Sequence, residues 1–120
     1  MTADNRPWIG VDLDATLAFY DKWRGPEHIG SPITTMRDRI LTWIKEGKRV
    51  KIFTARATDP TQIPLVTQWL LNNGLPELEV TNIKDWKMVE LWDDRAVGVV
   101  PNKGVPQCPA LKFTGGCPKI

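Results

Sequence analysis

Two apolar runs in this chain end in paired acids, and that pattern narrows the folds open to it. WIGV, residues 8–11, leads into Asp12 and Asp14, and MVELW, residues 88–92, leads into Asp93 and Asp94. Runs this short, bounded by polar residues, have the length of buried strands rather than of amphipathic helices. Carboxylates at the margin of a core cost free energy unless another group offsets their charge.

The chain between them alternates two periods. RVKIFTA (49–55) and LEVTN (78–82) read as further strands, and AVGVV (96–100) as a fifth. Met36, Ile40, Trp43 and Ile44 recur at spacings of three and four and share one helical face, with Thr34 or Thr35 as its cap and Gly47 as its stop. TDPTQIPLVTQWLLNNG (58–74) carries Ile63, Val66 and Leu70 on one face, and Asn73-Gly74 closes it. Pro60 and Pro64 leave the start of this second helix open. Strands alternating with helices predict an α/β fold, with a mostly parallel sheet of about five strands covered on both faces.

Length fits a single domain spanning 1–120, with an N-terminal arm over 1–7 and an irregular Pro/Gly-rich tail over 101–120. A short edge strand is expected within that tail at 110–113. Residues 24–33, RGPEHIGSPI, read as loop. Of six tryptophans, four fall in periodic apolar segments and read as core or rim packing, whereas Trp23 lies in a loop. A formal net charge of +2 neither demands nor excludes a polyanionic partner. No apolar run approaches the roughly 18 residues of a membrane span, and MTADNRPW lacks an apolar signal core. These features predict a cytoplasmic protein without membrane contact and with reduced thiols. Cys108 and Cys117 read as free thiols or a local bridge, because two ligands do not complete a structural zinc site.

In an open parallel sheet, ligands bind beyond the carboxyl ends of the strands. The chain's unusual polar residues fall there: Asp12 and Asp14 after the first strand, Thr54 and Arg56 after the second, Lys84 after the third, Asp93 and Asp94 after the fourth. Crowded carboxylates repel one another, and a divalent cation relieves this; an all-oxygen set suits Mg²⁺. A calcium loop starting at Asp12 would need Gly and Glu where Leu17 and Trp23 stand, and no Gly-rich phosphate loop is present.

These residues resemble the haloacid dehalogenase (HAD) superfamily of phosphohydrolases over about residues 9–100. DLDAT (12–16) is similar to its first motif, IFTAR (52–56) to its second, Lys84 in TNIKD to its third, and WDDR (92–95) to its fourth. GPEHIGSPI and WDDRAVGVVPN also resemble segments of small stand-alone members from bacteria and their phages. The resemblance implies a Rossmann-like three-layer sandwich with Mg²⁺ at the strand ends. It departs at Ala15, where the family carries glycine, a residue that tolerates positive φ.

The resemblance also implies roles. Asp12 is the expected nucleophile and Asp14 the general acid and then base. Asp12, the main chain of Asp14, and Asp93 or Asp94 are the expected metal ligands. Thr54 would bind a phosphate oxygen, and Lys84 would pair with nucleophile and phosphate, with Lys87 as its competitor. Thr16 is expected to order the turn more than touch substrate. Weaker substrate-binding candidates carry alternatives. His28 serves substrate or loop structure. Arg56 clamps a phosphate or a neighbouring acid. Arg95 pairs with Asp94 or binds substrate. Trp23 and Arg24 stack on a base or sugar, or pack the loop. Too few residues follow the first motif to build a folded cap. The expected activity is a Mg²⁺-dependent phosphomonoesterase acting on nucleotides, nucleic-acid ends or small-molecule phosphates. The alternative is a catalytically weak module that binds phosphate or nucleic acid.

Overall fold

In the computed structural model, which describes residues 4–107, the apolar runs become four parallel strands. They are β1 (Trp8–Val11), β2 (Arg49–Phe53), β3 (Glu79–Thr81) and β4 (Met88–Trp92), in the spatial order β3-β2-β1-β4. Register pairs Ile9 with Val50 and Val11 with Ile52, so these four side chains share one face of the sheet. Two helices pack on that face, α1 (Thr34–Lys45) and α2 (Ile63–Asn72). Met36, Ile40 and Trp43 from α1 and Val66 and Leu70 from α2 join the strand residues in one buried cluster. Burying Ile40, Ile52, Val66 and Leu70 completely contributes about 1.5–3 kcal/mol each.

Local chemistry accounts for the boundaries. Gly47 and Gly74 take φ of 86° and 82° and turn the chain out of each helix. The two prolines divide the second helical segment: Ala55–Thr58 and Pro60–Gln62 are single 3-10 turns, and Pro64 stands in the first turn of α2. Asp59 caps the second of these turns by accepting from the Thr61 amide at 3.0 Å. The threonine cap expected for α1 does not form; Ile33 is its N-cap residue, with no side-chain hydrogen bond.

Among the described residues the sheet has four strands rather than five. AVGVV stays outside it: Val99 makes one isolated antiparallel bridge to Pro106, and Val97 and Val99 are about half exposed. Among the described residues both helices lie on one face, where helices on both were expected. Both crossovers, β1 to β2 and β2 to β3, progress the same way across the sheet, and right-handed connections then lie on one side. The return from β3 to β4 crosses the opposite face with only residues 82–87. Three strand spacings and one strand length make a diagonal of roughly 20 Å. Six residues that include the turn closed by the Met88 amide on the Asp85 carbonyl reach about that far and no further. No helix fits.

This strap is nailed to the second face by charge. Asp85 accepts from the Trp8 indole at 2.9 Å, and the buried Lys51 ammonium lies 3.9 Å from Asp85 and 3.3 Å from Glu79. Lys51 also stands 4.3 Å above the Trp8 ring, which is fully buried. Trp43 and Trp92 meet edge to face at 5.2 Å. Trp86, on the strap, is fully exposed. No helix among the described residues is long and apolar enough to cross a membrane. The tail strand expected at 110–113 and both cysteines lie outside the described residues.

Candidate active site

The strand order places a topological switch between β1 and β4, because the chain leaves β1 toward β2 on one side and returns to it from the other. Crevices at the carboxyl ends of such strands are the usual ligand sites of open α/β sheets. Asp12 follows β1 and Asp93 and Asp94 follow β4, and the Asp12 amide donates to the Trp92 carbonyl at 2.9 Å. One oxygen from each of Asp12, Asp93 and Asp94 falls within 4.8 Å of the others. All three residues are half-buried.

The turn after β1 aims these groups. Leu13 is fully buried, and its carbonyl accepts from the amides of Leu17 and Ala18 at 2.9 and 2.8 Å. That wraps the chain tightly and swings Ala15 to φ 70°, the left-handed region. Thr16 lies between the acids: its hydroxyl is 3.4 Å from Asp12 Oδ2 and from Asp94 Oδ1, and it accepts the Asp94 amide at 3.1 Å. A hydroxyl has one proton, so it serves one carboxylate at a time. Asp93 Oδ1 accepts the amides of Arg95 and Ala96 at 2.7 and 3.2 Å, which fixes the turn after β4. Burial first, then a shared hydrogen bond with Asp94 and the charges of Asp93 and Asp94, pushes the Asp12 carboxyl up to about 7.

Asp14 behaves differently. Its carboxylate accepts from Arg56 Nε at 2.9 Å and from Nη2 at 3.0 Å, away from the triad. Any part for Asp14 in metal binding therefore falls to its main chain. Arg56 is buried and donates also to the carbonyls of Pro26 at 3.2 Å and His28 at 3.0 Å. Of the two roles expected for Arg56, the acid partner is the one observed, and the same guanidinium staples the loop over 23–28 to the rim. His28 supplies a carbonyl to this staple and lines a narrow cleft that adjoins the main cavity at Asp14, Tyr20 and Arg56. Trp23 lies with its ring centroid 4.9 Å from the Arg56 guanidinium, while Arg24 is engaged with Asp21 at 2.7 Å.

Asp12, Asp14, Thr54, Arg56, Asp93, Asp94 and Arg95 all line one cavity of about 710 Å³. Thr54 is buried and its hydroxyl oxygen accepts the Arg56 amide at 3.2 Å, leaving its proton free to donate. Arg95 makes no ion pair with Asp94 among the described residues; its side chain is exposed at the rim. Lys84 is absent from this cavity. It is exposed and lines a different hollow beside β4, which it shares with Asp93. The reason is the strap: a connection with no slack leaves the rim at once and carries Lys84 with it. Lys87, at the foot of the strap, is no nearer the rim end of β4.

Phe53, Tyr20, Gln62 and Asn82 also line the cavity, and the sequence reading did not include them. Phe53 and Asn82 stand next to the ends of β2 and β3, where the strand-end rule already pointed. Gln62 sits in a 3-10 turn created by the prolines and has no local signal. No protein-family model, no curated protein and no solved structure matches this chain.

Proposed function

We propose that the chain is a divalent-metal-dependent phosphomonoesterase with Asp12 as nucleophile. The observation that carries this is the meeting of Asp12, Asp93 and Asp94 at the switch point between β1 and β4. The donor set suits Mg²⁺. Ligand oxygens around an octahedral Mg²⁺ lie about 2.9–4.2 Å apart, so a spread of 4.8 Å needs only a small contraction. Burial first, and then the neighbouring acids, raise the Asp12 carboxyl, a crowding that a bound cation would relieve. Asp12, Asp93 and Asp94 would hold the ion, which when bound neutralises charge on nucleophile and phosphate alike.

The chemistry then falls to the chain's own groups. A carboxylate oxygen of Asp12 attacks phosphorus in line, the bond to the leaving oxygen breaks, and an aspartyl-phosphate forms. The leaving oxygen takes a proton, and water then attacks phosphorus to release phosphate and the free carboxylate. Thr54 can donate its hydroxyl proton to a phosphate oxygen, and Arg95 supplies positive charge at the rim. Asp14 would give the leaving oxygen its proton and take one from the attacking water, and it does so only after leaving Arg56.

That ion pair supports a second reading, a module that grips phosphate without turning it over. Release of phosphate from an aryl phosphate separates the two. The enzyme reading expects Mg²⁺-dependent turnover that Asp12→Asn abolishes. Absence of turnover in the wild-type chain, with retained phosphate binding, overturns it in favour of the module.

A further inference from the structure

The cavity is larger than a phosphate needs. At about 710 Å³ it falls within the roughly 300–1,000 Å³ range of whole-ligand pockets. Two features of its wall are unused by the phosphoryl chemistry. Trp23 is 53% exposed, yet its ring is not loose: one face is held by the Arg56 guanidinium, which Asp14 and two carbonyls fix in turn. A rigid indole with remaining open surface at the rim of a cavity is a platform for a flat ring. Gln62 lines the same cavity, and its Oε1, closed off from solvent, has no hydrogen-bond partner among the described residues. A buried acceptor without a donor is costly, and a ligand carrying an N–H or O–H group relieves it once the amide turns toward the cavity.

Together these features ask for a ring that stacks and a donor that reaches inward. Resting on the phosphohydrolase reading, we propose that the substrate is a nucleoside monophosphate unit. Its base stacks on Trp23 and donates a hydrogen bond to Gln62, while its phosphate lies at the acid triad. Free nucleotides and the phosphorylated end of a single strand share this chemistry.

The test compares kcat/KM for adenosine and guanosine monophosphates, ribose 5-phosphate, and 5′- and 3′-phosphorylated oligonucleotides. Nucleotides should exceed ribose 5-phosphate by about tenfold or more, the scale of one stacked base. Trp23→Ala should bring that ratio toward one, Trp23→Phe should keep most of it, and Gln62→Leu should lower it while the protein melts no earlier than wild type. Preference for the oligonucleotides over free nucleotides identifies a strand end as the source, and the reverse identifies the free nucleotide; the base ratio applies in both. Hydrolysis with equal kcat/KM for ribose phosphate and nucleotides, shifted alike by Trp23→Ala, overturns the base platform and leaves the phosphatase standing. If no ester is hydrolysed, the phosphatase reading fails, and calorimetry with adenosine monophosphate against ribose 5-phosphate judges the platform: equal affinities overturn it.

Discussion

Ala15→Gly should make this protein more stable. Ala15 holds φ at 70° because Leu13 is drawn into the core and its carbonyl gathers the following amides. For an L-residue with a Cβ this conformation costs about 1–2 kcal/mol. Glycine removes that cost, but the unfolded chain gains freedom worth about 0.4–1 kcal/mol. The difference is a net gain of about 0.5–1 kcal/mol. The main-chain bond from the Ala15 amide to the Ala18 carbonyl, 2.8 Å long, survives the change. At about 2.1 cal/mol/K per residue, a chain of this length unfolds with roughly 0.25 kcal/mol/K of entropy, so the melting temperature should rise by about 2–4 °C. Thermal melts followed by circular dichroism, with urea titration as a second measure, read the effect. Asn102 is the control, since it also has positive φ (65°) but is a residue that tolerates it; Asn102→Gly should gain less. A melting temperature for Ala15→Gly at or below wild type refutes the strain assigned to this turn.

Two further outcomes follow from the rim. The Asp12 carboxyl is raised from 3.8 to about 7, so the folded protein holds that proton more tightly than the unfolded chain. The resulting stability is full below about pH 3.8 and is lost as pH rises through 7. Metal-free protein should therefore lose melting temperature between pH 5 and pH 8 more than Asp12→Asn does, and Mg²⁺ should restore it at pH 8 but barely at pH 5; equal pH profiles for the two proteins in differential scanning fluorimetry count against the buried acid. Arg56→Leu should destabilise by about 2–4 kcal/mol, short of the largest buried-pair losses because Asp14 keeps some water, and should open residues 23–28 to proteolysis. Urea midpoints within experimental error of wild type contradict the staple.

The sequence made the scaffold legible where period and polarity agreed. Ile9, Val11, Val50 and Ile52 declared buried strands, Met36, Ile40 and Trp43 a helix face, and the acids after β1 and β4 a shared rim. AVGVV misled because β-branched apolar residues resemble a strand wherever they occur, whereas here Val97 and Val99 remain half exposed and the chain turns back at Asn102. That the described residues put no helix on the second face was hidden in a length: six residues between β3 and β4 leave no room for one. The same shortness displaced Lys84. Arg56 could not be assigned from local pattern, because its partner Asp14 lies 42 positions away and the bond exists only once β1 and β2 are neighbours. Nothing local to Lys51 marks it as buried, since its burial depends on Asp85 and Trp8 arriving from elsewhere.

The strap over 82–87 acts as a ruler. Among the described residues β4 is hydrogen-bonded to the sheet along β1 alone, and that pairing already slips between Trp8 and Ile9. The fixed span behind it limits how far it can slide. Each residue of slip would shift Asp93 and Asp94 by about 3.3 Å against Asp12, enough to break up the triad. A segment that crosses the far face of the sheet thereby sets the height at which the rim's acids stand.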